Sequence, residues 1–121
     1  MKQKDKDLLL LDLCSRLPYE VKIQYEDNIF TIDYISAMYE EIKLNTPNRY
    51  TIDVLEVKPY LFPLSSMTGR LKAELFNLRI NIEEPFQDSL CEIDFYHRKH
   101  FDYRGLIEKG LAIDATGLNI Y

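Results

Sequence analysis

Pro18 separates two hydrophobic periods that cannot belong to one element, and this boundary constrains the fold more than any other feature of the sequence. Before it, Leu8, Leu11, Cys14 and Leu17 recur at three-residue steps, and Leu10 and Leu13, four before Cys14 and Leu17, widen the face, which predicts a helix from Lys4 to Leu17. After it, Val21, Ile23 and Tyr25 alternate with Lys22, Gln24 and Glu26, the period-two pattern of a strand with one buried face. So wide an apolar stripe has to be covered, so the helix is expected to lie across a sheet or the mouth of a barrel.

The alternation continues. Asp27 and Asn28 supply turn chemistry, and Phe30, Ile32 and Tyr34 then alternate with Thr31 and Asp33, completing a hairpin. Residues 38–45 suit either a helix or, as preferred here, a third strand after a bend at Ser36–Ala37. Thr46-Pro47-Asn48 breaks the pattern, and Tyr50, Ile52 and Val54 restart it as a short strand or single turn. From Val57 to Leu64, Pro59 and Pro63 stand four apart in apolar surroundings, which predicts an edge strand or an extended wrapping segment and argues against a central strand. Thr68 is placed to cap a helix through Leu71, Leu75 and Leu78 that ends before Pro85. A further helix is expected from Ser89, with Glu92 completing a capping box, to about His100. Leu106, Ile107, Leu111 and Ile113 make the tail apolar enough to pack back onto the sheet.

These elements predict one α+β domain over residues 1–121: an N-terminal helix, a strongly bent antiparallel sheet of three to five strands that could curl into a small SH3-like barrel, then two C-terminal helices and a packed tail. With 121 residues, 46% of them hydrophobic, the chain is long enough for a single core. A net charge of -5 provides no positive field to gather phosphates or anionic lipid, which disfavours nucleic acid and a membrane as partners. The Leu8–Leu11 run, flanked by acids, is too short for a membrane span or a signal segment. Cys14 and Cys91 form no paired motif and are expected as small buried groups in a reducing, cytoplasmic setting.

The constellation richest in chemistry is Asp94, His97 and His100, at steps of three on the last helix, from which one carboxylate and two imidazoles could converge on a divalent metal. That spacing is less convenient than the four-residue step of zinc helices. Arg98 and Lys99 between them would also repel a cation, so a solvated or helix-capping role is favoured. Cys91 or Ser89 with His97 as base has no activating context, and no glycine-rich phosphate loop is present, so no cofactor is expected. The run from His97 to Arg104 is locally basic with interleaved aromatics, a surface able to hold phosphate and stack a base, although Asp94 and Asp102 flank or interrupt it. The nine tyrosines could rim a protein-binding surface or simply fill pleats.

Three stretches carry a family likeness: residues 7–19, the segment VKPYLFPLSSMT at 57–68, and HFDYRGLIEKGLA at 100–112. Together they resemble a family of small uncharacterised proteins of gut Bacteroidales genomes, their phages and other mobile elements. The resemblance implies an accessory role and supplies no activity, ligand or catalytic residue. The residues themselves point to a non-enzymatic module that binds another protein through Lys58, Tyr60 and Phe62 together with His100, Phe101, Tyr103 and Arg104, whose rings offer stiff apolar surface. A nucleic-acid-binding barrel and a metal-dependent enzyme stand as alternatives, and oligomeric state is left open.

Overall fold

The leucine-rich segment forms α1 (Lys2–Arg16), which stops where Pro18 enters a single 3-10 turn, Leu17–Tyr19, closed by Glu20 in the left-handed region at φ 54°. The structure, a computed structural model, describes residues 2–47, 51–80 and 82–121; Tyr50 lies outside them. The buried stripe of α1 is not the one expected. It consists of Leu9, Asp12, Leu13 and Arg16, while Leu11 is 54% exposed and Cys14 faces solvent. Four consecutive leucines point in every direction around a helix, so the run does not set the inward face; a buried acid and base a helical turn apart do. Cys91 is half-buried, so neither cysteine is the core group anticipated.

β1 (Lys22–Tyr25) and β2 (Asn28–Ser36) pair antiparallel with Tyr25 opposite Asn28. The turn residues are therefore Glu26 and Asp27, both at positive φ as a two-residue hairpin turn of type I′ requires, with Asn28 already in the strand. A register shift between Ile32 and Tyr34 bends β2 against β3 (Glu41–Leu44), which settles residues 38–45 as a turn followed by a strand. β4 (Ile52–Asp53) adds to β3, and the Asp53 side chain caps the 3-10 turn Val54–Glu56.

β5 (Lys58–Pro63) corrects the edge-strand expectation. It pairs antiparallel with β1 and parallel with β6 (Phe101–Asp102) and β7 (Ile113–Asp114), so it is central. Both prolines stand within the paired stretch, Pro59 opposite Ile23 and Pro63 opposite Asp102, and each removes only its own N–H from the ladder. Between them Phe62 N–H donates to the His100 carbonyl at 2.8 Å and the Leu61 carbonyl accepts from Ala115 N–H at 2.8 Å. The strand order is β4-β3-β2-β1-β5-β6, with β7 also on β5. The sheet is thus mixed and open, neither wholly antiparallel nor closed into a barrel. β6 returns only after two helices, a crossover that restores the direction of β5 and makes parallel pairing possible.

Those helices are α2 (Gly69–Arg79) and α3 (Pro85–Arg98). Thr68 caps α2 as expected, its hydroxyl oxygen accepting from Leu71 N–H at 3.2 Å. α3 starts four residues before Ser89, because Pro85 occupies the first turn, where its missing N–H costs nothing and its fixed φ is already helical. It ends at Arg98. Lys99 caps it and His100 leaves at φ 63°. Two apolar clusters follow from the alternation of side chains along β5. Leu61 joins Leu9, Leu13, Ile23, Ile42 and the tail residues Leu106 and Ala112, whereas Phe62 packs against Leu75, Phe95 and Phe101 under the helical pair. The tail is therefore packed. Among the described residues no helix is long and apolar enough to cross a membrane.

Candidate functional site

Parallel pairing of β5 with β6 sets Phe62 opposite Phe101 and so joins the two segments that the sequence marks for binding. Their rings, 6.1 Å apart, form part of the floor of a cleft of about 410 Å³ whose wall includes Leu71, His100 and Tyr121 and whose rim carries Arg98 and Lys99. The left-handed turn at His100 lays its imidazole flat on the Tyr121 ring, with centroids 3.7 Å apart and planes within 14°. Tyr121 is held from behind. Its hydroxyl donates to the Tyr60 carbonyl at 2.7 Å and accepts from Lys22 N–H at 2.9 Å.

The wall formed by His100 and Tyr121 is electrically neutral at pH 7. Burial, with Arg16 and Lys22 nearby, lowers the His100 pKa to about 4, and burial raises that of the Tyr121 phenol to about 12. His100 Nδ1 is buried without a hydrogen-bond partner among the described residues. The rim is cationic but loosely committed: Arg98 lies 3.8 Å from Asp94 and Lys99 lies 3.4 Å from Glu74, pairs whose side chains are all more than a third exposed. Such exposed pairs are cheap to exchange for a ligand's acid. The arrangement can therefore hold a body with an apolar or flat part and a negative group.

A second set of polar groups meets beneath α1. Arg16, fully buried, donates from Nε to Asp12 at 2.8 Å and from Nη2 to the Phe101 carbonyl at 2.6 Å. Asp12 also accepts from Arg104 Nε at 3.0 Å, and Arg104 donates from Nη2 to the Tyr103 hydroxyl at 2.9 Å. The same hydroxyl is 2.6 Å from His97 Nε2, to which it donates when the imidazole is neutral with its proton on Nδ1. Burial, and then the charge of Arg16, push the His97 pKa down in the same sense. His97 Nε2 is thus paired with the Tyr103 hydroxyl. The network ties α1 to β6 and to the tail.

The structure thus divides the sequence-predicted residues. Phe62, His100 and Phe101 line the cleft. Tyr103 and Arg104 belong to the network under α1, Tyr60 is 7% exposed within the sheet, and Lys58 is exposed at the start of β5. Asp94, His97 and His100 are not brought together: Asp94 accepts from the Tyr19 hydroxyl, His97 meets Tyr103, and His100 stacks on Tyr121. Among the described residues no group of three or more His, Cys, Asp or Glu is placed to hold a metal ion. Sequence reasoning missed Tyr121 as a wall of the cleft and the Asp12–Arg16 pair. The pair did leave a signal, an acid and a base four apart inside a leucine-rich helix. No protein-family model matches the chain, and comparison with curated proteins and with solved structures yields no significant match.

Proposed function

We propose that the protein is a recognition module whose cleft takes an acidic segment of a partner protein, anchored by an aromatic or branched apolar side chain. The observation that carries this reading is the combination, in one cleft, of a neutral aromatic lining at Phe62, Phe101 and Tyr121 with a cationic rim at Arg98 and Lys99. Stiff rings provide contact area at little entropic cost, and a rim charge selects sign and orientation more than it adds affinity. The overall charge of -5 argues against a polyanionic nucleic acid in the same place. An exposed free thiol at Cys14 fits a reducing cytoplasm, and the family likeness fits an accessory role in mobile elements.

Selection of displayed random peptides on the whole protein tests the reading. Enriched peptides are expected to pair Asp or Glu with an apolar anchor, to shift the amide signals of residues 62, 100 and 101, and to bind at least tenfold more weakly to Lys99→Glu. Neutral or basic consensus peptides, or signals moving elsewhere, overturn it. So would an oligonucleotide that binds more tightly than the selected peptides at ~50 mM salt, where phosphate contacts are strongest.

A further inference from the structure

The α2–α3 pair is covered at its root and bare along its length. Leu75 and Phe95 are 8% and 0% exposed against Phe101, whereas Phe86 is 73%, Leu90 50%, Leu78 42% and Ile93 38% exposed. Phe86, Leu90 and Ile93 stand at steps of four and three, the seam of an amphipathic helix with nothing on it. Leu78 of α2 continues the seam across a shallow depression shared with Leu90 and Cys91. The two helices are fixed relative to one another by Arg79, which donates from Nε to Asp88 at 2.6 Å and lies 3.1 Å from Glu92, so the face is preformed.

We infer that this face is where a second copy of the chain docks, α3 against α3 in antiparallel fashion about a two-fold axis near Leu90 and Ile93. Two features select a second copy over another partner. The first is charge. α3 is preceded by exposed Glu83 and Glu84 and ends on exposed Arg98, so turning one helix end for end brings the acids of each copy to the arginine of the other. The helix dipoles oppose in the same arrangement. A two-fold contact uses one patch on both chains, and this patch is complementary to itself only when reversed. The second is size. The four apolar side chains present roughly 350 Å² per copy, and with the polar rim of a homodimer interface two copies would bury about 1,100 Å² in total, just above what a specific contact needs. A reversible dimer follows, weak enough to dissociate on dilution.

Sedimentation of the whole chain between about 5 µM and 1 mM is the test. The mass is expected to rise from one chain toward two and to stop there. Leu90→Glu and Phe86→Glu, both at exposed positions, should remain monomeric with unchanged circular dichroism and thermal midpoint. Glu83→Lys/Glu84→Lys should weaken association at least tenfold, and adding Arg98→Glu to that chain should restore it, because both copies then carry the exchanged charges. A wild-type chain of single mass at the highest concentration, growth beyond two copies, or association undiminished by Leu90→Glu overturns the inference. Failure of the charge exchange to rescue overturns its antiparallel register. Peptide binding in the cleft is measured separately through Lys99→Glu, so either result can fail alone.

Discussion

Asp12–Arg16 and Arg79–Asp88 are the same chemical pair in two parts of the molecule, and they do different work. Both are close ion pairs, but the side chains of the first are 0% exposed and those of the second 35% and 30%. The first cannot be exchanged for water. Asp12 lies between Arg16 and Arg104, and Arg16 reaches on to the Phe101 carbonyl, so one carboxylate holds together α1, β6 and the segment after it. The second pair braces a surface hairpin whose charges stay hydrated. Burial, not pairing, determines what an arginine and an aspartate contribute here.

The largest effect should therefore come from Asp12→Ala, which leaves two guanidinium groups without their shared acid beneath α1. Breaking a buried pair on one side costs about 3–5 kcal/mol, enough to unfold much of a marginal domain. Urea denaturation checks the loss. Asp12→Leu combined with Arg16→Met removes both charges at similar volume and should recover most of it, because the desolvation cost of the pair disappears together with its attraction. A double variant no more stable than Asp12→Ala would show that the pair is held for its charge.

The same contrast explains how much of the molecule was legible in the sequence. Features written by local chemistry were readable: the change of period at Pro18, the β1–β2 hairpin, the Thr68 cap and the apolar tail. What depended on distant partners was not. Pro59 and Pro63 signal an edge strand in isolation, and only the return of β6 and β7 to bond the residues between them makes β5 central. Asp12 and Arg16 look like a solvated pair until Arg104, 92 residues away from Asp12, closes on the same carboxylate. Half of the cleft was visible for a similar reason: Phe62 and Phe101 belong to aromatic clusters in the sequence, whereas Tyr121 becomes a wall only by stacking on a histidine in a left-handed turn. Pro85 was readable and misread, since a proline that ends one helix also opens another.

Acid sharpens the comparison next, because the two histidines lie on the buried side. Both have folded pKa values below 6.5, His100 at about 4, so the unfolded chain takes up their protons first as pH falls. Stability they contribute is complete above pH 6.5, falls on descending from there through pH 4, and changes no further below that. The expected loss from His100 is about 1–2 kcal/mol once its partial contact with water is allowed for. Asp53 and Asp88, whose pKa values are lowered by Lys6 and Arg79, act only below their ordinary 3.8, so the two windows separate. Urea titrations at pH 7.5, 5.5 and 4 measure this; His100→Gln should flatten the upper window, and an unchanged slope would remove His100 from the account.

Tyr121→Phe should act more modestly. It keeps the ring on His100 and deletes the hydroxyl that accepts from Lys22 and donates to Tyr60, at a cost of about 1 kcal/mol. Hydrogen exchange at Lys22 should accelerate while the His100 ring stays stacked. If instead the imidazole resonances move to free-histidine positions, the hydroxyl and not the ring contact positions the wall of the cleft.

Arg79→Ala should have the smallest effect on stability, and that makes it the most direct test of the comparison. By distance alone it looks comparable to a change at Arg16, since Arg79 meets both Asp88 and Glu92. Its charges are in water, however, and solvent repairs what the substitution breaks, so the urea midpoint should not move measurably. The change should appear in local motion instead, as faster exchange in residues 76–92 with the sheet unaffected. A midpoint shift approaching that of Asp12→Ala would mean that the hairpin brace is as essential as the buried pair, and that exposure is a poor guide to what holds this fold.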